Sequence, residues 1–318
     1  MLKVVIVGYG EMFTNLVAAT LDAGCEIVGV FRKDSIKYNS LMKKIKDVFN
    51  PSIEYSYIKS YNLYEIAARS VNSDDFRKEI LKLNPDIILV GSWSEKFQKE
   101  TYSIPKIATI NAHPSLLPKY RGPNPYFWTI RNQETETGIT FHLIDDNLDT
   151  GAILAQEVIK IFPSDTGSSL KQKTVLTARG VACELLKTLK EDIVIPLQQI
   201  EEKSSYYSYP EDLELDFSKS AADNAALIRA CYPWSQAYFY HKDVAIAVSH
   251  EKLSIEENSS EYKEFGTIIE ACPTSKTIKV LCGDNNVLKM EISLYSKIDK
   301  PFTKFFIKRE MVCGSQIE

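Results

Sequence analysis

Little in this sequence points to covalent staples, metals or membranes. No Cys-x-x-Cys pair occurs among its six cysteines (Cys25, Cys183, Cys231, Cys272, Cys282, Cys313), and none stands near a histidine at ligand spacing. That disfavours zinc and redox motifs and leaves reduced thiols. No apolar run approaches the roughly 18 residues of a membrane span. The opening Met-Leu-Lys-Val-Val-Ile-Val-Gly reads as a first strand rather than a signal peptide, so a cytoplasmic protein is expected. A Gly-x-Ser-x-Gly elbow is also missing, which argues against a serine nucleophile even though Ser115 follows His113 closely. Positive charge is not in excess. The formal net charge of -4 speaks against a broad nucleic-acid surface and leaves room only for a local basic strip.

At 318 residues the chain is long for a single core, and two domains are expected. Val4 to Gly8 is a buried-strand pattern followed by Gly8-Tyr9-Gly10, a helical stretch through Leu21 and a second strand, Ile27 to Phe31. The third glycine of a dinucleotide fingerprint is replaced by Phe13, and the second strand ends at Arg32 and Lys33 without an acidic residue for a ribose, so a nicotinamide cofactor is disfavoured. Helices are expected around Ser40–Val48, Asn62–Ala68 and Asp75–Leu83. The lysines at 33, 37, 43, 44 and 46 read as a solvated face. A strand at Ile87–Val90 ends in Gly91-Ser92-Trp93, again at a carboxyl edge where α/β sheets place ligands. A long amphipathic helix, Ser168–Leu189, leads to a polar linker candidate across 190–210. Beyond it lie one helix, Ala221–Ala230, and five short strand-like runs, the texture of a small barrel.

The densest chemistry lies in residues 110–151. Asn111 and His113 stand two apart at the end of an apolar run, so a strand would point both the same way. Asp149 follows a second strand-like run, Gly138 to Ile144; nothing local brings it back to His113, but a parallel or mixed sheet could. The stretch resembles the 10-formyltetrahydrofolate-dependent formyltransferases, whose signature is Asn-x-His, Ser-Leu-Leu-Pro, Arg-Gly and Asp-x-Gly. Here these are Asn111, His113, Ser115 to Pro118, Arg121, Gly122, Asp149 and Gly151. The second half resembles the carboxyl-terminal barrel of some family members through Ile228-Arg229, Pro233-Trp234, Gly266-Thr267-Ile268 and Gly283-Asp284.

The resemblance implies an α/β, Rossmann-like catalytic domain with a mostly parallel sheet over residues 1–203 and an OB-like β-rich domain over 204–318. It implies 10-formyltetrahydrofolate as co-substrate and no metal for the transfer. Formyl transfer to an amine passes through a tetrahedral oxyanion and needs an amide donor, a group titrating near neutrality and a carboxylate to fix it. Asn111, His113 and Asp149 take those parts, with Asp149 expected to raise the imidazole pKa. Gly91, Ser92, Trp93, Ile144, Asp145 and Asp146 are expected at the folate. Gly8, Tyr9, Gly10, Ser115, Leu116 and Arg121 are expected at the acceptor. His142, His241 and His250 carry no pattern and read as structural.

The acceptor is less legible. Pro114 and the Pro-Asn-Pro-Tyr-Phe-Trp continuation after Gly122 depart from the methionyl-tRNA members. Residues 211–296 hold 8 Lys+Arg against 14 Asp+Glu, and only 297–309 is basic. These features favour a small amine such as a nucleotide-linked amino sugar, with methionyl-tRNA as the alternative and a non-catalytic folate- or nucleotide-binding protein as the reading from another class.

Overall fold

A computed structural model describes residues 1–32, 49–191, 194–296 and 299–317. The first sheet is built from β1 (Lys3–Gly8), β2 (Glu26–Arg32), β3 (Ile87–Gly91), β4 (Ala108–His113), β5 (Glu136–Leu143) and β6 (Ile153–Lys160). Its order is β2-β1-β3-β4-β5-β6. The β1, β2, β3 and β4 pairings are parallel, and β5 and β6 add antiparallel strands at one edge. Alternation along β1 feeds both faces: Val4 and Ile6 join one buried cluster with Met12, Leu16 and Val17, while Val5 and Val7 join another with Phe31, Phe76 and Ile80. Helix α1 (Gly10–Asp22) covers the first face.

Local chemistry explains the helices that follow. In α2 (Ile53–Ser60) the Ser52 hydroxyl caps the Tyr55 amide, and in α3 (Asp74–Leu83) Ser73 caps Phe76 while Asn84 closes the helix in the left-handed conformation. A helix expected at Asn62–Ala68 does not form. Asn62 has φ of 50°, and Glu65 bridges to Val30 of β2, so that segment extends the sheet edge instead. The helix expected at Ser40–Val48, and the lysines around it, lie outside the described residues. A single turn, α4 (Lys99–Tyr102), precedes β4, and α5 (Pro125–Arg131) and the 25-residue α6 (Gly167–Glu191) follow in order.

The chain divides into two compact units: residues 1–125, 136–160 and 171–208 in one, and 126–135, 161–170 and 209–318 in the other. In the second, α7 (Ala221–Cys231) is capped by Ser220 and precedes β7 (Tyr238–His241), β8 (Val244–Glu257), β9 (Ile268–Cys272), β10 (Thr277–Leu281) and β11 (Asn286–Leu294). These strands form an antiparallel sheet in the order β7-β8-β11-β10-β9, the OB-like β-rich domain that the short runs suggested. Helix α8 (Thr303–Glu310) occupies most of the basic strip. Among the described residues no helix is long and apolar enough to cross a membrane, and no cluster of three or more His, Cys, Asp or Glu could hold a metal.

Candidate active site

Three adjacent parallel strands end side by side: Gly8 of β1 pairs with Gly91 of β3, and Gly91 with Ala112 of β4. Strand order reverses between β1 and β3, the kind of position where open α/β sheets leave a crevice. The glycines there are structural necessities. A Cβ at Gly8 would stand 2.2 Å from the Gly91 carbonyl oxygen, and one at Gly91 2.6 Å from Met12 Cγ.

Asn111 and His113 project from the end of β4, and Asp149, in a turn with φ of 56°, returns to meet them. Asp149 Oδ1 lies 3.5 Å from His113 Nδ1 and 3.5 Å from Asn111 Nδ2, while the Gly122 amide donates to Oδ2 at 3.0 Å. The long-range encounter that the family resemblance implies is thus present. Asp149 acts on the imidazole in the expected direction, raising it, but its effect is not the largest one. Burial outweighs the carboxylate, so the His113 imidazole titrates below its ordinary value instead of above it. Burial would raise the Asp149 carboxyl, but its neighbours, His113 foremost and the Gly122 amide among them, hold it far below the usual carboxylate range. Near neutral pH the pair is therefore a neutral imidazole beside a carboxylate. His113 Nε2 is 2.8 Å from the Tyr120 carbonyl, an acceptor only, so the single proton of the neutral ring sits on Nε2 and the Nδ1 lone pair faces Asp149.

The other expected site residues fall into distinct settings. Ser92 has φ of 55°, and the Trp93 ring lies 5.4 Å from Phe31, its indole nitrogen buried without a hydrogen-bond partner. The Ile144 amide donates to Thr109 at 2.9 Å. Asp145 accepts from Thr150 at 2.7 Å and from the Asn147 amide at 3.1 Å, and Asp146 accepts from the Tyr102 hydroxyl at 2.8 Å. Tyr9 is exposed at the start of α1, and the Gly10 amide donates to the Glu54 carboxylate. Ser115 is fully buried and donates to the Lys119 carbonyl at 2.8 Å, which makes it a brace within its own loop. Leu116 packs against Gly138. Arg121 is buried and grips Glu201 at 2.9 Å through both terminal nitrogens, with Gln199 at 3.0 Å.

Two contributions had no local signal in the sequence. His142, taken as structural, sits opposite Asn111 across the β4–β5 ladder, with Nε2 3.1 Å from Asn111 Nδ2 and 3.6 Å from Asp149 Oδ1. Strand register alone brings it there. Residues 197–208, within the segment expected to be a linker, instead strap the 118–121 and 149–151 loops. Gln199 donates to the carbonyls of Asp149 and Gly151 at 2.9 and 2.8 Å, Ser205 and Tyr207 pair with the backbone of 118–121, and Tyr207 stacks on Tyr120 at 5.1 Å.

Such an array can accept a proton beside a carboxylate and donate an amide hydrogen to a developing oxyanion. Comparison with known proteins agrees with that chemistry. A family model described as formyl transferase matches residues 2–184, and one described as formyl transferase, C-terminal domain, matches 208–308. The chain is 31% identical over 320 residues to a methionyl-tRNA formyltransferase of Clostridioides difficile strain 630, covering 100% of this chain and 98% of that one. It is 29% identical over 293 residues to the methionyl-tRNA formyltransferase of Caldanaerobacter subterraneus subsp. tengcongensis, covering 92% of each. Among solved structures, the N-formyltransferase of Helicobacter canadensis in complex with folinic acid and dTDP-3-aminofucose aligns with a TM-score of 0.67 at 19% identity, over 92% of this chain and 100% of that one. The catalytic-domain match spans more than half of the sequence, and the chain belongs to the formyl transferase family.

Proposed function

We propose that this protein is an N-formyltransferase that moves the formyl group of 10-formyltetrahydrofolate to the primary amine of a small molecule, a nucleotide-linked amino sugar being the class that fits best. The observation that carries the reaction is the meeting of Asn111, His113 and Asp149 at the carboxyl end of β4, with the carboxylate ionised and the imidazole neutral. In this reading the amine attacks the formyl carbon, and an Asn111 N–H stabilises the oxyanion. His113 Nδ1 takes the proton the amine sheds, and the resulting imidazolium is stabilised by Asp149. The same proton then passes to the departing folate nitrogen.

The folate would be held along Gly91, Ser92 and Trp93 and the backbone of Ile144, Asp145 and Asp146. The Trp93 indole N–H, a buried donor with no acceptor, fits a pterin heteroatom. The acceptor would enter past Gly8, Tyr9 and Gly10. The solved Helicobacter canadensis enzyme, bound to folinic acid and dTDP-3-aminofucose, supports both substrate classes. Charge favours the small acceptor: the net of -6 over residues 211–296 repels a phosphate backbone.

Methionyl-tRNA is the second reading, favoured by the full-length similarity to the Clostridioides difficile enzyme. Tetrahydrofolate release, measured with nucleotide amino sugars and with charged initiator tRNA, separates the two. The proposal expects release with an amino sugar. Formylation of tRNA alone would overturn the choice of acceptor, and no release with any amine would indicate a non-catalytic folate binder.

A further inference from the structure

The mechanism leaves one buried group beside the reacting atoms unassigned. His142 is 2% exposed, and its Nδ1 lies 2.8 Å from the Leu143 carbonyl oxygen. A carbonyl only accepts, so Nδ1 carries a proton. On the other side of the ring, His142 Nε2, Asn111 Nδ2 and Asp149 Oδ1 form a nearly equilateral triangle with sides of 3.1, 3.5 and 3.6 Å. Seen from Asn111 Nδ2, the two acceptors subtend about 66°, far less than the roughly 120° between the N–H bonds of a primary amide. One N–H therefore serves both acceptors, and the second points out of the triangle.

We propose that His142, as the neutral Nδ1–H tautomer, is the positioning residue for Asn111. Its Nε2 lone pair holds one amide hydrogen, fixes the amide with nitrogen rather than oxygen toward Asp149, and leaves the other N–H for the formyl oxygen. An imidazolium at this position would set two donors against each other, turn the amide oxygen inward and remove the oxyanion donor. Among the described residues, the charged or titratable groups facing the ring are Asp149 and His113, whose ring lies edge-on at 6.3 Å. The inference rests on the formyl-transfer reading for its consequence and on geometry alone for the tautomer.

Two measurements test it separately. In histidine-labelled protein, with His142 assigned by the loss of its signals in His142→Gln, nitrogen NMR near neutral pH should show a protonated Nδ1 and an unprotonated Nε2. Asn111→Ala should shift the Nε2 signal. An Nε2–H tautomer or an imidazolium overturns the proposal whether or not the protein is active. In kinetics, His142→Phe should lower kcat about 100-fold with KM for folate and amine unchanged, the scale of one misplaced oxyanion donor. His142→Gln, whose carbonyl can still accept from Asn111, should recover about tenfold of that loss. Near-normal kcat in His142→Phe, or equal losses in both variants, overturns the proposal. Absence of formyl transfer by the unaltered protein counts against the functional reading, and the tautomer result still decides the role of His142.

Discussion

Burial and a neighbouring carboxylate pull the His113 imidazole in opposite directions, and the depth of the site decides the outcome. Because the proposed mechanism needs the neutral ring to take up the proton, activity should rise with pH through the depressed pKa. The acidic limb of kcat/KM should have its midpoint below the 6.5 of an unperturbed imidazole. A limb centred above that value would contradict the burial argument. His113→Ala should lower kcat by about 10²- to 10⁴-fold, and Asn111→Ala by about 10²- to 10³-fold. Equilibrium folate binding, measured by fluorescence, should stay close to normal in both. The Asn-x-His spacing was legible because a strand has period two. His142 was not, because its partners belong to a different strand and only the register of β4 against β5 brings them together.

The elements around the site were legible where their own residues dictate them. Apolar runs marked β1, β2 and β3, and the helix expected at Asp75–Leu83 forms as α3. They were misread where tertiary contacts decide. Residues 62–68 carry apolar side chains at helical spacing, yet pairing of Glu65 with Val30 draws them into an extended course. Residues 197–208 have no periodicity because, apart from one tight turn at Glu201–Lys203, their hydrogen bonds go to distant segments: Leu197 to Ile153, Gln199 to the 149–151 turn, and Ser205 and Tyr207 to residues 118–121. Gln199→Ala should leave the Asp149 and Gly151 carbonyls without a donor, destabilise the fold by about 1–3 kcal/mol, and lower kcat more than it raises either KM. Thermal denaturation and steady-state kinetics together check this; an unchanged kcat would show that the strap does not hold the Asp149 turn. Gly8→Ala should cost about 1–3 kcal/mol through overpacking against the Gly91 carbonyl. A variant as stable as the natural protein in urea would show that the strand ends have room to spare.

At the scale of the whole molecule, the amino-terminal unit carries Asn111, His113, His142 and Asp149, and the carboxyl-terminal unit combines an acidic β-sheet region with a basic last helix. The five strand-like runs foretold the second sheet, but its strand order depends on pairings between distant segments that no local pattern encodes. Transfer to a small amine should change little with salt, whereas an acceptor held through several phosphates would lose affinity steeply as salt rises. In the proposed mechanism a single carboxylate, Asp149, reaches both other members of the triad. Single-turnover formyl transfer from 10-formyltetrahydrofolate by the natural protein and by Asp149→Asn tests it directly. Tetrahydrofolate and formylated amine should appear in equal amounts with the natural protein, and about 10²- to 10⁴-fold more slowly with Asp149→Asn at unchanged folate affinity. Near-equal rates in the two proteins would contradict it.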